Sequence, residues 1–599
     1  MNAKTTKPGG KTLRIGGAAG FWGDSALATP QLLAVPDLDY LVFDYLAETT
    51  MSILQRARMK DPALGYATDF VSAVVKPHLK ECLARGIKLV SNAGGLNPEG
   101  CRDAILAVAR ELGLDPKVAV VTGDDLMPQL EALRSEGVRD LQQGTPLPAK
   151  VLSANAYLGA QPIAAALAQG ADIVVTGRCV DSAVTLGAAA YEFGWDWKDW
   201  DRLAQASLAG HIIECGAQAT GGLFTDWEDV PDWANIGYPV VEMREDGTFE
   251  VTKPAGTGGL ISVAAVGEQV LYEIGDPANY VLPDVVCDFR AVKIAAAGAE
   301  RVRVSGARGR PPTPGYKVCA TWQDGYQVTL HQMIRGIRAV AKAQKTADAL
   351  IERTRKQMAG RKFADYTELR VEMLGCESHY GPHARFSEPR EVVLRIGARH
   401  PEAKALAFLQ KESVSAGTSM GPGTRSHFGG RADIQSVIKL YSFLVDKARV
   451  PAEARCGDAV QKFAVAAEIG EPVLVPELEV VAAAGAPSED TMEVPLVQLA
   501  WARSGDKGND ANIGVIARQA KYLPLLRAEL TAERVKAHFA HLVEGEVERF
   551  DLPGMGAMNF LLHAALGGGG TASLRSDPLG KAYAQILLDM PVRVPKDLL

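Results

Sequence analysis

IKLVSNAGG, residues 87–95, joins a short apolar run to small and polar residues. Five other segments near the N-terminus have the same layout: TLRIGGAAG (12–20), YLVFDYLAE (40–48), VAVVTGDD (118–125), VLSANAYLG (151–159) and DIVVTGRCVD (172–181). Amphipathic segments with helical spacing lie between them: FVSAVVKPHLKECLARG (70–86), EGCRDAILAVARELG (99–113) and PIAAALAQG (162–170). Strands that alternate with helices predict an α/β domain whose mostly parallel sheet is covered by helices on both faces.

The alternation also predicts where a ligand binds. In sheets of this type ligands lie at the carboxyl ends of the strands. Small and acidic residues accumulate at those positions in this chain. The glycine-rich, irregular stretch from about residue 200 to 290 is more typical of the walls of a site than of a linker.

The pattern changes twice further along the chain. After residue 300, strand-like segments and a long amphipathic helix predict antiparallel strands under helices. Later, a run of Ala, Pro, Ser and acidic residues is typical of a linker. We therefore expect an α/β ligand-binding domain at 11–300, an α+β subdomain at 301–469, a linker at 470–493 and a small α+β sandwich at 494–599.

The composition excludes several classes of partner. The chain has 599 residues, of which 47% are hydrophobic and 23% charged, as in folded multidomain proteins. A formal net charge of -7 gives no electrostatic reason to expect nucleic acid or an anionic membrane as a partner. The longest apolar stretches are interrupted well before the ~20 residues that a membrane span requires. A small molecule is the partner that we expect.

The cysteines and the N-terminal residues bear on location. Eight cysteines are scattered without C-x-x-C pairs or the spacing of a zinc site. The basic N-terminal tail lacks the apolar core of a secretory signal. These features predict a cytoplasmic protein with free thiols. A symmetric homo-oligomer is the expected assembly, since it is common for metabolic enzymes of this size.

The loop after the first predicted strand offers an acid and a hydroxyl. Glycines at 16, 17 and 20 lead to Asp24 and Ser25. Glycine lets the backbone approach a phosphate, so this loop is a candidate for ligand contact, with Asp24 also a candidate catalytic acid. A tight structural turn would use the same residues.

The loop after the third predicted strand has a similar layout. Asn92, Gly94 and Gly95 follow an apolar strand and precede Pro98. Their position predicts ligand binding. Pro is also common at the first position of a helix, and Asn is common at the N-cap before it. Asn97 can therefore be the N-cap of the next helix without any contact to a ligand.

Arg178 and Asp181 follow the last strand of the alternating region. An arginine at a strand end can hold a carboxylate or phosphate with two parallel hydrogen bonds. Asp181 is a candidate to orient the arginine, to bind a metal or to take part in catalysis. The alternative is a structural ion pair between the two side chains.

The segment HIIECGAQATGG, residues 211–222, contains a histidine, an acid and a thiol before a glycine-rich turn. These residue types perform general acid–base or nucleophilic catalysis. We therefore take Glu214 and Cys215 as catalytic candidates, and Gly221 and Gly222 as substrate-binding candidates. A lone cysteine is otherwise more often a small buried apolar residue.

Lys253, Gly256 and Thr257 belong to another glycine-rich segment, KPAGTGG. The lysine and the backbone N–H groups of such a segment are suited to a phosphate. The alternative is a loop without a ligand.

Arg503, Asp506, Lys507 and Asn512 form a dense group of polar residues near the C-terminus. They can bind a ligand phosphate, seal an interface between domains or contact a partner. We favour a site between domains that binds the substrate.

Metal binding is left open by the sequence. HYGPH, residues 379–383, has two histidines, but Gly-Pro between them prevents the helix that a zinc site of the H-E-x-x-H type requires. Mg²⁺ held by Asp carboxylates is the cofactor that remains to be tested.

ARSGDKGNDANIG, residues 502–514, resembles the signature of the small ferredoxin-like domain of acyclic terpene utilisation (AtuA) proteins. Six earlier segments resemble the larger AtuA domain: GGAAGFWGDS (16–25), VSNAGGLNP (90–98), TGRCVDSA (176–183), ECGAQATGG (214–222), KPAGTGGLIS (253–262) and YEIGDPANYVLPDV (272–285). The similarity covers nearly the whole chain. It implies that the C-terminal sandwich is ferredoxin-like.

The resemblance also implies a function. The family is associated with the degradation of citronellol and geraniol through branched acyl-CoA intermediates. The resemblance to this family implies a lyase or hydratase that acts on a thioester such as hydroxy-isohexenylglutaryl-CoA, with CoA as part of the substrate. The chain lacks the H-x-H pair after a barrel strand and the eightfold βα repeat of known lyases. Two alternatives stay open: a non-catalytic subunit that holds an acyl-CoA or assembles with its carboxylase, and a hydrolase or isomerase of a CoA-free acid.

Overall fold

The computed structural model of the protein describes residues 11–426, 430–463 and 490–599. The strands before residue 311 are β1 (Thr12–Gly17), β2 (Tyr40–Phe43), β3 (Lys88–Ser91), β4 (Val118–Thr122), β5 (Ser153–Ala156), β6 (Ile173–Thr176), β7 (Val240–Arg244), β8 (Phe249–Thr252), β9 (Tyr280–Val281), β10 (Val286–Asp288), β11 (Lys293–Gly298), β12 (Arg301–Ser305) and β13 (Arg308–Arg310). The helices of this part are α1 (Ala28–Leu33), α2 (Glu48–Lys60), α3 (Lys76–Arg85), α4 (Pro98–Glu111), α5 (Leu130–Ser135), α6 (Gln161–Ala168), α7 (Ala183–Phe193), α8 (Trp200–Ile213) and α9 (Val263–Leu271).

The middle part of the chain contains fewer and longer elements. Its strands are β14 (Gly315–Arg335), β15 (Glu368–Leu374), β16 (Glu391–His400), β17 (Thr424–Ser426), β18 (Gln435–Asp446), β19 (Glu453–Cys456) and β20 (Ala459–Lys462). Its helices are α10 (Ala339–Gly360) and α11 (Ala403–Ser419).

The C-terminal part alternates short strands and short helices. Its strands are β21 (Thr491–Pro495), β22 (Ala500–Lys507), β23 (Asp510–Ala517), β24 (Val547–Leu552), β25 (Ala557–Leu562) and β26 (Pro591–Pro595). Its helices are α12 (Leu523–Glu529), α13 (Ala532–His538) and α14 (Tyr583–Leu588).

The first sheet has a parallel centre. Its strand order is β11-β12-β8-β7-β1-β2-β3-β6-β4-β19-β20, and the five strands from β1 to β4 in this order are parallel. Antiparallel strands extend it on both sides. Apolar residues of α3 and α4 cover one face, and those of α6, α7 and α8 cover the other. The predicted α/β architecture, with helices on both faces of a parallel sheet, is confirmed for this centre.

One predicted strand of that sheet lies elsewhere. β5 forms as expected, but it pairs antiparallel with β14, from Val318↔Ala156 to Thr321↔Ser153. Its sequence, SANA, is small and polar, and the side chain of Asn155 donates to Asp124 instead of packing in the first sheet. The strand therefore connects the first sheet to the second.

The second sheet is organised around β14, a strand of 21 residues. β14 pairs antiparallel with β16 and β18, and β15 pairs with β16. Apolar residues of α10 and α11 pack on this sheet, with Leu350 and Leu409 fully buried. The prediction of antiparallel strands under helices is confirmed here.

The C-terminal part forms a third, antiparallel sheet. Its order is β22-β23-β25-β24, while β21 and β26 pair separately. Phe539, Phe560 and Tyr583 are fully buried in its core, together with side chains of α12, α13 and α14. The predicted α+β sandwich is confirmed.

The proposed division into domains stays a prediction. The boundary at residue 300 lies in the hairpin between β11 and β12, and β19 and β20 extend the first sheet from the middle part. Most of the proposed linker at 470–493 is outside the described residues. No helix in the described part of the chain is both long enough and apolar enough to cross a membrane.

Candidate active site

The carboxyl ends of β2, β3 and β6 bring an acid, an amide and an arginine to one edge of the first sheet. Asp44 follows β2, Asn92 follows β3, and Arg178 lies two residues after β6. The Asn92 amide donates to Asp44 Oδ1, and its oxygen accepts from Tyr45 N at 2.7 Å. Since the three strands are adjacent and parallel, their ends meet at the edge where ligands bind in such sheets.

Arg178 is buried, with 3% of its side chain exposed. Its Nη1 donates to Asp181 Oδ1 at 2.8 Å and to Cys179 O at 2.7 Å, and its guanidinium lies 4.1 Å from the centre of the Tyr157 ring. Asp181 is 41% exposed. The structural ion pair is therefore present. Within the described residues Arg178 Nε is buried without a hydrogen-bond partner, and substrate binding by Arg178 stays a prediction.

The end of α8 supplies the histidine, the acid and the thiol. His211 is buried, and its Nδ1 lies 3.3 Å from Glu214 Oε1. The loop after β1 packs directly on this end of the helix. A Cβ at Gly20 would lie 2.8 Å from the backbone of Cys215, so glycine is required for that approach.

Burial and neighbouring charges set the protonation of these groups. Burial, with the charges of Asp181 and Glu273, raises the pKa of Glu214 well above its usual value. Burial, with the charges of Asp181 and Glu214, does the same to the pKa of Asp44. The pKa of the Cys215 thiol is also raised by burial and then by Glu214. The site thus holds two carboxyls that favour their protonated form and a thiol that resists ionisation.

Glu48 and Lys317 lie next to Tyr157, on which the Arg178 guanidinium also packs. The Tyr157 hydroxyl donates to Glu48 Oε1 at 2.5 Å, and Lys317 Nζ lies 4.9 Å from the centre of the ring. Burial would raise the pKa of Glu48, but Lys317, Arg178 and the Tyr157 hydrogen bond lower it to about 2. Glu48 is therefore an anion at neutral pH.

The C-terminal part adds charges from across the interface. Lys581 Nζ donates to Glu273 Oε1 at 2.8 Å, to Asp506 Oδ1 at 2.9 Å and to the Tyr272 hydroxyl. Burial, with the charge of Glu273, raises the pKa of Asp506 to about 6. Burial would also raise the pKa of Glu273, but Lys581 and Lys507 outweigh it and lower that pKa. We call the following residues the charged cluster: Asp44, Arg178, Asp181, Glu214, Glu273, Asp506, Lys507 and Lys581.

Asn512 holds a strained residue of this cluster. Glu273 has a φ of 57°, in the left-handed region that side chains rarely adopt. Asn512 Oδ1 accepts from Glu273 N at 2.9 Å, and its amide donates to Leu271 O at 2.8 Å. A Cβ at Gly505 would lie 2.5 Å from Glu273 Cγ, so glycine allows β22 to approach. The C-terminal hairpin therefore positions Glu273.

Arg503 holds the loop after Cys215 in a comparable way. Its guanidinium donates to Gly222 O at 3.3 Å, to Leu223 O at 3.4 Å and to the Gln218 side chain. Leu223 has a φ of 65° and Gly221 a φ of 93°. These contacts support the interface-sealing alternative for Arg503. Substrate binding by this arginine and by the two glycines stays a prediction.

Asp24 and Ser25 form hydrogen bonds within and around their own loop. The Asp24 carboxylate accepts from Gly20 N at 3.0 Å, from Ser25 N at 2.7 Å and from the Tyr238 hydroxyl at 2.7 Å. Ser25 Oγ accepts from Leu27 N at 3.2 Å. These bonds support the tight-turn alternative, and roles for both residues in catalysis or binding stay predictions.

Gly94 and Gly95 permit close packing after β3. A Cβ at Gly94 would lie 2.5 Å from Thr176 O, and Gly95 has a φ of 52°. Asn97 Oδ1 accepts from Gly100 N at 3.0 Å and thus caps α4. Packing accounts for both glycines without a ligand.

The loop of Lys253, Gly256 and Thr257 is bonded to itself. Lys253 Nζ donates to Thr257 O at 2.8 Å and lies 3.4 Å from Glu300 Oε2, while Thr257 Oγ1 donates to Pro254 O at 2.7 Å. The loop follows β8, which is separated from β1 by β7. None of these contacts reaches the charged cluster. The end of the loop touches the loop after Cys215, because Leu260 N donates to Thr220 O at 2.7 Å.

The described ranges contain no group of three or more His, Cys, Asp or Glu side chains placed to hold a metal ion. His383 lies in a short turn, Gly381–His383, and its Nε2 is 2.9 Å from His538 O. A role for Mg²⁺ stays a prediction.

Several members of the site were missed by the sequence analysis: Asp44, Glu48, Tyr157, Glu273 and Lys581. Asp44 and Glu48 stand at the end of YLVFDYLAE, so the strand-end rule provided a signal for both. Lys581 has no such signal, because it reaches Glu273 from 308 positions away in the chain.

Two family models match the chain. The model described as acyclic terpene utilisation family protein AtuA matches residues 13–456, and the AtuA ferredoxin-like domain matches residues 494–593. No curated protein and no solved structure gives a significant match. The second match corresponds to the antiparallel C-terminal sheet, which confirms the ferredoxin-like domain. Because the first match alone spans more than half of the chain, the protein belongs to the acyclic terpene utilisation AtuA family.

Proposed function

We propose that this protein is an enzyme that performs acid–base catalysis at the charged cluster, as a lyase or hydratase of a branched acyl-CoA. The observation that carries the proposal is the placement of two buried acids with raised pKa, Asp44 and Glu214, beside the Arg178–Asp181 pair. Perturbed acids of this kind occur where an enzyme moves protons near neutral pH. Membership of a family named for acyclic terpene utilisation supports a branched substrate.

In the lyase reaction, Asp181 is the proposed base. Its carboxylate is partly exposed and held by Arg178, so it can accept the proton of a β-hydroxy thioester. Loss of that proton allows the bond between Cα and Cβ to break, which gives a carbonyl product and an enolate. Glu214, which favours its protonated form, then delivers a proton to the enolate carbon.

The hydratase reaction uses the same two groups. Asp181 takes a proton from water, the hydroxide adds to Cβ of an enoyl thioester, and Glu214 protonates Cα. Both reactions pass through an enolate. The charge of Lys507, which acts on Glu214 and Glu273, is suited to stabilise that negative charge.

Cys215 is a poorer candidate for the base. A thiolate is stabilised by nearby cations. Cys215 is instead influenced by four acids, Glu214, Glu273, Asp44 and Asp181, each of which raises the pKa of the thiol. We therefore assign proton transfer to the carboxylates.

The proposal is tested by product analysis. The wild-type protein and the Glu214→Gln variant are incubated with branched β-hydroxyacyl-CoA and enoyl-CoA esters, including hydroxy-isohexenylglutaryl-CoA, with and without Mg²⁺. Mass spectrometry identifies the products, and calorimetry measures binding. We expect turnover by the wild type, and turnover slowed by about 10²–10⁴ with binding retained in the variant.

Two outcomes would contradict this proposal. Binding of thioesters without turnover by the wild type would favour the non-catalytic acyl-CoA-binding or assembly subunit. Turnover of CoA-free acids alone would favour the hydrolase or isomerase.

A further inference from the structure

A pocket of about 680 Å³ is lined by β14 and β18 of the second sheet and by residues that follow β5, β6 and β9. This size lies in the range of pockets that enclose small-molecule ligands. Much of its lining is apolar: Leu141, Val180, Val281, Leu282, Leu444 and Val445. The charged side chains of Lys317 and Asp446 also belong to the lining. The apolar part of the pocket favours a hydrocarbon segment over a charged group, because a charged group there would lose hydration without gaining a partner.

Three of the apolar lining side chains are exposed. Leu141, Val281 and Leu444 have 51%, 54% and 57% of their surface accessible, whereas Leu282 and Val445 are each 6% exposed. The pocket thus has an open apolar mouth and a buried interior. Contiguous exposed apolar surface around a concave site is typical of a binding site.

The pocket shares a wall with the charged cluster. Val180 lines the pocket, and the next residue, Asp181, forms the ion pair with Arg178. Tyr157 also lines the pocket, and the Arg178 guanidinium lies 4.1 Å from its ring. A ligand in the pocket therefore has one end next to the proposed catalytic groups.

We propose that this pocket binds the aliphatic acyl chain of the substrate and directs its reacting end to Asp181. The inference deepens the proposed function, on which it rests for the identity of the reacting end. If a second copy of the protein covered this surface, it would reach only the exposed side chains of the mouth, Leu141, Val281 and Leu444. A flexible acyl chain can enter the pocket and also cover the buried Leu282 and Val445, so it accounts for more of the lining.

The first test measures affinity against chain length. The Glu214→Gln variant, in which we expect slow turnover, is titrated by calorimetry with straight-chain acyl-CoAs from butyryl-CoA to decanoyl-CoA. Burying each added methylene should tighten binding by about fourfold until the pocket is full. An affinity that does not change with chain length would overturn the proposal.

The second test fills the pocket. Gly315 lines it, and a Cβ there would meet its nearest neighbour, Val445 O, at an ordinary 3.5 Å. In the Glu214→Gln background, Gly315→Phe should abolish the gain in affinity for long chains and leave butyryl-CoA unchanged. Gly315→Ala, which adds one methyl group, is the matched control. An unchanged chain-length dependence in Gly315→Phe would contradict the proposal.

A third variant covers the case in which Gly315→Phe does not fold. Leu444→Gln makes the mouth polar and should weaken binding of decanoyl-CoA more than that of butyryl-CoA. Leu440→Gln is its control, since Leu440 is exposed on the same strand, β18, but does not line the pocket. Equal effects of the two variants would count against the pocket.

Two further measurements separate the alternatives. Free carboxylic acids of the same lengths are titrated in parallel. If they bind with the expected dependence while the CoA esters do not bind, the pocket is supported and the CoA part of the proposed function fails. If Leu444→Gln changes the sedimentation coefficient and not the chain-length dependence, the mouth is a contact between copies and the proposal is overturned.

Discussion

The loops at residues 214–222 and 253–259 have similar compositions and different surroundings. Both are rich in glycine, and both were predicted to contact a ligand. The first is bonded by Arg503 from the C-terminal part, and its Glu214 is affected by the charges of Asp181 and Glu273. The second is bonded through Lys253 to its own Thr257 and to Glu300, and its end touches the first loop at Thr220 without reaching those charges.

The difference shows what a glycine-rich motif indicates. Glycine permits a close approach to the backbone, but the approaching group can be protein as well as ligand. In the first loop, Gly222 O accepts a hydrogen bond from the Arg503 guanidinium. In the second loop, a Cβ at Gly258 would lie 2.1 Å from Asp232 O, so the approaching group is again protein. The first loop is distinguished by the charged side chains that meet beside it.

The largest effect is expected from loss of the proposed acid and base. Glu214→Gln and Asp181→Asn should each lower kcat by about 10²–10⁴, because each removes a proton-transfer group. Lys253→Met, in the other loop, should leave kcat within about twofold of the wild type. Steady-state kinetics with the substrate found by product analysis provides the measurement. A loss of activity in Lys253→Met as large as in Glu214→Gln would remove the distinction between the loops.

The next effect concerns stability at the interface. Asn512→Ala should lower the free energy of unfolding by about 1–3 kcal/mol, because it removes the partner of the part-buried Glu273 N and of the buried Leu271 O. Asn235→Ala, which removes an exposed hydrogen bond to Gly256 O in the second loop, should change it by no more than about 0.5 kcal/mol. Urea unfolding followed by circular dichroism measures both. Equal losses in the two variants would show that Asn512 has no special role.

A smaller effect is expected on the pH dependence of kcat. The reaction needs Glu214 protonated, so activity should fall as pH rises through its pKa. The charge of Lys507 lowers the pKa of Glu214, and Lys507→Met should therefore raise that pKa and move the alkaline limb to higher pH. Lys253→Met is the control and should not move it. A shift of the limb to lower pH in Lys507→Met would contradict the assignment of Glu214 as the acid.

The smallest effect is expected from the thiol. Cys215→Ser should change kcat by less than about tenfold, well below the loss expected for a catalytic carboxylate. The reason is that burial and the charge of Glu214 raise the pKa of the thiol, so the reactive thiolate is scarce. Kinetics of the variant, and of the wild type after treatment with iodoacetamide, measure this. Rapid inactivation by iodoacetamide with protection by substrate would restore Cys215 as a catalytic candidate.

Part of the site was accessible from local patterns. Asn92, Arg178 and Asp181 were singled out because they follow apolar strands, and the parallel order of β2, β3 and β6 brings Asn92 and Arg178 together. Asp44 also follows an apolar strand, β2, so the same rule would have predicted it as a site residue. Lys253 also follows a strand, but β8 lies beyond β7 in the sheet, and strand order is not visible in the sequence.

Other contacts depend on the packing of distant segments. Lys581 meets Glu273 and Asp506, and Asn512 meets Glu273, across the contact between the C-terminal part and the rest of the chain. Gly505 was noted only as part of a family signature. The structure provides the physical reason, since a Cβ there would collide with Glu273.

Local sequence patterns were enough to predict the α/β class, the positions of the strand ends, the C-terminal α+β sandwich and the resemblance to the AtuA family. These features are local, because they depend on periodicity and on motifs that lie within a few turns or strands of each other. The packing of the folded chain was needed to learn which acids are buried, which charges face one another and where the apolar pocket opens. Burial and Coulomb interactions depend on distances in space, and those distances join segments that are hundreds of residues apart in the chain.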